Sequence, residues 1–353
     1  MGKIKGLVIP IVLSLFIIIS AIKTLPGGGS PSSITSGDPQ LIAQLTPLLT
    51  GARDRVSAVL IEPTGVRYAF WGSNQDTQYE IGSITKTFTA ALLADAVERG
   101  EITLDMRLGE ILAVGSSPVS DVSLTELVTH HAGLASMPSS WHDRIMMLVE
   151  ILRHRDPLFA DNAQLLAQAK ADPLSSRGQF AYSNRGFALL GNALAKWVNQ
   201  RYVDLLNERL LIPAGMMQTS LPESVSDLPH DFTTGYSTGG FHEGPWTLGA
   251  YAPAGSMRST IVDMARYARL LLDGYFPGAE ALKPLGKAEH SQIGMAWFIS
   301  HVRGHDITWH NGSTGGFSSI IMLDRQAGKA IVILSNTAYP LEAAALNVLL
   351  PRD

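Results

Sequence analysis

The chain contains no cysteine. Disulfides, thiolate metal sites, a cysteine nucleophile and a lipidated N-terminal cysteine are therefore excluded together. The compartment is not decided by this, because an exported protein can do without disulfides. Charge is sparse, at 16% of 353 residues, and neither sign dominates: 27 Lys and Arg stand against 31 Asp and Glu. A net charge of −4 leaves no basic footprint for nucleic acid. No unit of roughly 20 to 50 residues recurs, which removes solenoids and propellers. What the chain does have is apolar content. At 46% it supports a substantial core, and the length suits one large domain or two average ones.

Lys3 and Lys5 precede an uncharged run from Gly6 to Ile22, and Lys23 closes it. As a helix this run reaches about 25 Å, slightly less than the roughly 30 Å hydrocarbon core, so a cleaved signal peptide and an uncleaved anchor both fit. Ile18, Ile19 and Ile22 spoil the nearest small-residue cleavage sites and leave only Gly27-Gly28-Gly29, which favours the anchor. The two lysines place the N-terminus in the cytoplasm and the remainder outside. Residues 1–23 thus read as a signal peptide or signal anchor, and the protein as exported to a periplasmic or extracellular face. Residues 24–39 are mostly Gly, Ser, Pro and Thr and read as a flexible linker. The folded domain is expected over residues 40–353.

Val56–Ile61 and Val66–Trp71 are β-branched and aromatic runs joined by Glu62-Pro63-Thr64-Gly65, which predicts a hairpin. A helix should follow Ser83, with Phe88, Ala91, Leu92 and Ala96 on one face. Helical patterns then dominate to about residue 275, among them Phe187, Leu190, Leu194, Trp197 and Val198. In the last third Ile293–Ile299, Ile307–His310, Phe317–Leu323 and Ala330–Leu334 predict four strands of an antiparallel meander, closed by a helix from about Leu341. The fold class expected is α/β of the α+β type. One antiparallel sheet is built from both chain ends and flanked by helices, with a mostly helical subdomain inserted, behind an N-terminal hydrophobic helix.

Three groups of residues are candidates for chemistry. In Ser83-Ile84-Thr85-Lys86 a helical spacing of three puts Lys86 Nζ within reach of the Ser83 hydroxyl. A serine needs such a base to act as a nucleophile, and a helix N-terminus offers N–H groups to a developing oxyanion. The spacing alone is weak, since about one S-x-x-K is expected by chance and Ser20-Ala21-Ile22-Lys23 is a second. Taken alone, Ser83 is an ordinary N-cap. Gly235-Tyr236-Ser237-Thr238-Gly239 is a literal G-x-S-x-G, but no apolar strand precedes it and no helix pattern follows, so it reads as a loop. His301, His305 and His310 fall across a hairpin with no H-E-x-x-H pattern, and they read as scattered histidines rather than metal ligands.

Ser83 does not stand alone. Tyr79 through Phe88, Glu101-Ile102-Thr103-Leu104-Asp105, Leu124 through Leu134 (ending Thr129-His130-His131-Ala132-Gly133-Leu134), Tyr182-Ser183-Asn184, Pro213-Ala214-Gly215-Met216, Ala254-Gly255-Ser256-Met257 and His310-Asn311-Gly312 occur in that order. Together these blocks resemble the serine β-lactamase and penicillin-binding DD-peptidase superfamily, and within it the class C β-lactamase-related branch. The resemblance spans roughly residues 50 to 340.

The resemblance implies an acyl-enzyme on Ser83, with Lys86 and Tyr182 sharing the proton work and either one open as the base. It implies Asn184 orienting Lys86 and contacting the substrate. Backbone N–H groups of Ser83 and Ser313 would form the oxyanion hole, and His310 and Gly312 would supply the third motif. On the class C pattern Tyr182 would activate the deacylating water. The third motif is usually K-T-G, so His310 stands where a permanent cation is common. A substrate carboxylate would have to hold it as imidazolium, since its ordinary pKa is about 6.5.

The function expected is that of an exported serine hydrolase acting on β-lactams or D-Ala-type peptides. The alternatives are a carboxylesterase with an apolar acyl pocket near Trp141, Trp246 or Trp309, and a slowly deacylating penicillin sensor. Those tryptophans otherwise read as core residues. No cofactor, metal or nucleic acid is implied. Membrane contact would come through the N-terminal segment if it is uncleaved.

Overall fold

The computed structural model describes residues 29–136 and 140–351. The hydrophobic segment expected over residues 1–23 lies outside the described residues. Within them no helix is long and apolar enough to cross a membrane.

Nine strands form one antiparallel sheet. They are β1 (Thr35–Gly37), β2 (Val56–Glu62), β3 (Gly65–Trp71), β4 (Gly286–Lys287), β5 (Gln292–Ile293), β6 (Phe298–Val302), β7 (His305–Ser313), β8 (Ser318–Asp324) and β9 (Lys329–Ser335). Their order across the sheet is β1-β3-β2-β9-β8-β7-β6-β5-β4. The two ends of the chain meet where β2 pairs with β9, Val56 opposite Ser335. Everything between β3 and β4 is the predicted insertion, and it is mostly helical.

The central strands are nearly continuous apolar runs because both faces of the sheet are covered. Val59, Ile61, Ile321, Leu323, Val332 and Leu334 point into one core cluster, and Ala58, Leu60, Ile320, Met322, Ile331 and Ile333 into the other. The smaller cluster is closed by the first helix, α1 (Pro39–Leu45), and by the C-terminal helix Glu342–Leu349. The larger holds α2 (Thr85–Glu98), α3 (Leu124–Val128), α5 (Asn162–Lys170), α6 (Asn184–Val198) and α7 (Ile261–Leu272) on the insertion side; α4 (Trp141–Leu152) contributes to neither cluster, and the C-terminal helix is α8.

Helix α2 differs from the one-faced helix expected. Every residue from Thr85 to Ala96 is buried, so it is a central helix rather than a surface one. Its buried hydroxyls are satisfied, Thr87 by Tyr267 at 2.8 Å and Thr89 by the Pro253 carbonyl at 2.6 Å.

Three further expectations change. The run Ile293–Ile299 is not one strand. It is the end of β5 and the start of β6, joined by a tight turn in which Gly294 N–H bonds the Trp297 carbonyl and Ala296 has φ +67°. The linker composition of residues 24–39 does not keep the chain off the sheet: Thr35–Gly37 pair with β3, and Ser32 N–H bonds the Asp54 carbonyl at 2.9 Å. Edge pairing uses backbone groups, so it needs no apolar side chains. The tryptophans also part company. Trp141 is 75% exposed, while Trp246 and Trp309 are partly buried, packed against opposite clusters.

Candidate active site

Ser83 sits in a single 3-10 turn, Gly82–Ile84, that leads directly into α2. The segment before it is pinned from three sides. Tyr79–Glu80 pairs with Arg258–Ser259, Ile81 N–H bonds the Met257 carbonyl at 2.9 Å, and Ser319 Oγ bonds the Ile81 carbonyl at 2.8 Å. Glu80 and Arg258 form an ion pair of 2.9 Å with both side chains 1% exposed. Two glycines let β7 approach this turn. Gly82 has φ +50°, and a Cβ on it would lie 2.6 Å from the Ser313 nitrogen. A Cβ on Gly312 would collide with the Ile81 carbonyl. Gly312 is thus a close-approach residue whose lack of a side chain brings Ser313 beside Ser83.

Lys86, one helical turn on, is completely buried. Its Nζ lies 2.9 Å from Ser83 Oγ, 2.7 Å from Asn184 Oδ1 and 2.6 Å from the Ala254 carbonyl. All three partners are uncharged oxygens. Burial pulls the ammonium well below the usual lysine range, with no carboxylate at hand to offset it. Asn184 reaches this position because Ser183 caps α6, accepting from Gly186 N–H at 3.1 Å, and so makes Asn184 the first helical residue.

Tyr182 is partly buried, with its ring 4.9 Å below Lys86 Nζ. Burial pushes the phenol well above its ordinary pKa, and a hydrogen bond with Ser83 offsets only part of that. The ring is held from behind by His130, stacked at 4.4 Å and 29°. His130 has φ +61°, and its Nδ1 accepts from Ser183 N–H at 3.1 Å. It therefore fixes both the Tyr182 ring and the start of α6.

His310 departs most from expectation. It is fully buried on β7, its Nδ1–H donates to the Asn311 carbonyl at 2.6 Å, and its ring packs on Phe298. Burial and the nearby Lys86 push it down to about 3, so it is a neutral imidazole rather than a cation for a carboxylate. It does not line the cavity at Ser83, whereas Ser313 and Asn184 do. His301 and His305 pair instead with Asp306 and Asp324 at 2.8 and 2.7 Å. Among the described residues no cluster of three or more His, Asp or Glu is placed to hold a metal ion. Ser237 lies in a small hairpin, Gly235–Tyr236 against His242–Glu243, with its hydroxyl accepting from Phe241 N–H.

Sequence reasoning missed His130, the Ala254 carbonyl and most of the wall facing Ser83, where Leu158, Leu248 and Tyr251 join Trp246, one of the tryptophans considered for an acyl pocket. The first two lie in blocks already noted for the resemblance. Leu158 and Leu248 carried no signal at all.

The sequence profile described as Beta-lactamase matches residues 46–350. The chain is 25% identical to a β-lactamase of Pseudomonas fluorescens, over 75% of this chain and 81% of that protein. It is 28% identical to penicillin-binding protein 4 of Amycolatopsis lactamdurans, over 73% of this chain, and spans 65% of that longer protein. In three dimensions it is similar to a class C β-lactamase from Rhodobacter sphaeroides, with a TM-score of 0.75 at 20% identity, covering 89% of this chain and 99% of that one. A profile match over most of the length, on a turn that sets Ser83 against a buried lysine, makes this chain a serine hydrolase of the β-lactamase family.

Proposed function

We propose that Ser83 is the nucleophile and Lys86 its general base in an exported acyl-hydrolase acting on β-lactams or D-Ala-type peptides. One observation carries the assignment of the base. Of the three oxygens around Lys86 Nζ, Asn184 Oδ1 and the Ala254 carbonyl can only accept. A neutral amine therefore gives its two hydrogens to them and turns its lone pair to Ser83 Oγ, the one partner able to donate.

In acylation the Ser83 oxygen bonds to the substrate carbonyl carbon and its proton passes to Lys86. Lys86 returns that proton to the leaving nitrogen or oxygen as the scissile bond breaks. Backbone N–H groups of Ser83 and Ser313 receive the oxyanion. Neutral Lys86 then takes a proton from water as the water oxygen bonds to the acyl carbon, and returns it to Ser83 Oγ as the Ser83–acyl bond breaks and the acid leaves. Tyr182, with its phenol proton retained, donates a hydrogen bond at Ser83 rather than abstracting a proton from it.

The neutral His310 favours a second reading on the same scaffold. A carboxylesterase needs no fixed cation for a substrate carboxylate, and this site offers none at the third motif.

The test uses the full chain and penicillin, following intact mass and drug absorbance in one sample with Ser83→Ala as control. A lasting adduct on Ser83 marks a penicillin-binding peptidase or sensor. Drug loss without an adduct marks a lactamase. If neither depends on Ser83, the lactam reading is wrong and uncharged esters become the substrates to assay.

A further inference from the structure

The catalytic serine opens on very little space. The cavity at Ser83 is about 30 Å³, room for a water or a carbonyl group. Leu158 and Tyr251 form part of its wall, and the same two residues line a much larger chamber of about 840 Å³ on the other side. That volume lies inside the roughly 300–1,000 Å³ range of small-molecule sites. The chamber faces Met146, Met147, Phe159, Val225 and Pro245. Its carboxylates Glu150 and Glu223 are already paired, with Arg153 at 3.3 Å and Arg201 at 2.9 Å. Its buried Arg185 is paired with Asp172. His142, Asp143, Arg155 and Gln164 also line it, but most of its surface is apolar, and one leucine and one tyrosine stand between it and the nucleophile.

Leu158 is held in that position by backbone bonds. The Asp156 carboxylate accepts from Leu158 N–H at 3.0 Å on one oxygen. On the other it accepts from Thr247 N–H at 3.1 Å and Leu248 N–H at 2.6 Å. On either side Gly244 N–H bonds the His154 carbonyl and Ala250 N–H bonds the Ala160 carbonyl, both at 2.7 Å. Residues 154–160 therefore form a strap fastened along residues 244–250. The Leu158 side chain is its only apolar part that reaches the Ser83 cavity.

We propose that the acyl group of the substrate lies in this chamber, that it is an uncharged, elongated apolar group, and that Leu158 is the residue that sets its length. The inference rests on Ser83 as the nucleophile and adds the class of acyl group it receives. A carbonyl held at Ser83 and Ser313 directs its acyl side at Leu158 and Tyr251. Tyr251 is tied by its hydroxyl to Gln168 at 2.7 Å and to Arg185 at 3.2 Å, whereas the Leu158 side chain is partly buried and held by apolar packing alone.

Alkyl fluorophosphonates test this without requiring turnover. The Ser83 oxygen bonds to phosphorus, fluoride leaves, the serine proton passes to Lys86, and the alkyl chain stands in for the acyl group. Methyl, butyl and octyl probes are reacted with the full chain in lipid nanodiscs, and labelling of Ser83 is timed by intact mass. Thermal melting checks that each variant is folded. Leu158→Ala should raise the octyl-to-methyl ratio of labelling rates at least tenfold over the parent, and Leu158→Trp should lower it. Met217→Ala, on an exposed side chain outside both cavities, should leave the ratio unchanged. If Ser83 is labelled but both Leu158 variants keep the parent ratio within twofold, the chamber is not the acyl site. If no probe labels Ser83 in any folded variant, the nucleophile assignment itself fails, and this inference fails with it.

Discussion

The two walls that face each other across Ser83 are built on opposite principles. On the sheet side Lys86, Glu80 and Arg258 are buried and each is bonded. Lys86 has three oxygen partners, and the Ser83 turn is locked by the Glu80–Arg258 pair. The start of α6 is locked by the Arg185–Asp172 pair, whose side chains are 2% and 1% exposed. On the other side α4 buries only Met147 and Leu148, and Trp141, Met146, Leu152 and Phe159 face solvent. Its strap is held by a few backbone bonds and the carboxylates of Asp156 and Glu243. The contrast separates two tasks. Proton transfer needs groups fixed within fractions of an ångström, so it is placed on elements that move least. Admission of substrate needs a wall that opens, and such walls come from the weakly packed end of the stability range.

The sharpest break in this comparison comes from the catalytic wall. Ser83→Ala should remove both adduct and turnover, about 10⁴-fold or more, because it deletes the proposed nucleophile. Lys86→Met should lower acylation by about 10²- to 10⁴-fold, the range for a lost general base. In the parent enzyme the acylation rate should fall as pH drops through the Lys86 pKa, which burial has moved well below that of a free lysine. A rate that still climbs steeply between pH 9 and 11 would mean that the base ionises in the ordinary lysine and tyrosine range, against a Lys86 amine neutral at pH 7. Stopped-flow acylation across that range reads the difference.

A smaller effect separates the walls by stability rather than by rate. Glu80→Ala strands the Arg258 guanidinium at 1% exposure, and breaking a buried pair from one side costs about 3–5 kcal/mol. Trp141→Ser, on the opposite wall, removes a side chain that is 75% exposed and should change stability by less than about 0.5 kcal/mol. Urea unfolding of the two variants checks both figures. Similar losses would show that the outer wall is packed as firmly as the inner one.

The same division explains what the sequence made legible. Ser83 and Lys86 are one helical turn apart, and Tyr182 and Asn184 flank a capping serine, so local rules bring each pair into range. The hairpin β2–β3 and the strands β7 to β9 follow from runs of β-branched residues between turn residues. Ile293–Ile299 misled because an apolar run does not show where a tight turn is cut into it. The linker composition of residues 24–39 misled because edge pairing draws only on the backbone. Leu158 and Asp156 were silent because their meaning depends on Thr247 and Leu248, about ninety positions away. His310 was read by its residue type, whereas its charge is set by tertiary burial that no local pattern carries.

His310 provides the last and most graded prediction. Its pKa is about 6.5 in the unfolded chain and about 3 in the folded one. Between those values the unfolded chain binds a proton that the folded chain does not, so stability is full above about pH 6.5 and declines as pH falls toward 3. At about 1.4 kcal/mol per unit, the decline approaches 4–5 kcal/mol across the window. His310→Gln should flatten that part of the stability curve when unfolding is followed by urea at half-unit steps, while leaving the curve above pH 7 parallel to the parent. The activity profile should run the other way from that of a carboxylate-binding imidazolium. If His310 held a substrate carboxylate as a cation, kcat/KM would fall as pH rises from 6 to 8, and His310→Gln would abolish that fall. With His310 neutral and packed on Phe298, the limb should be absent in both proteins.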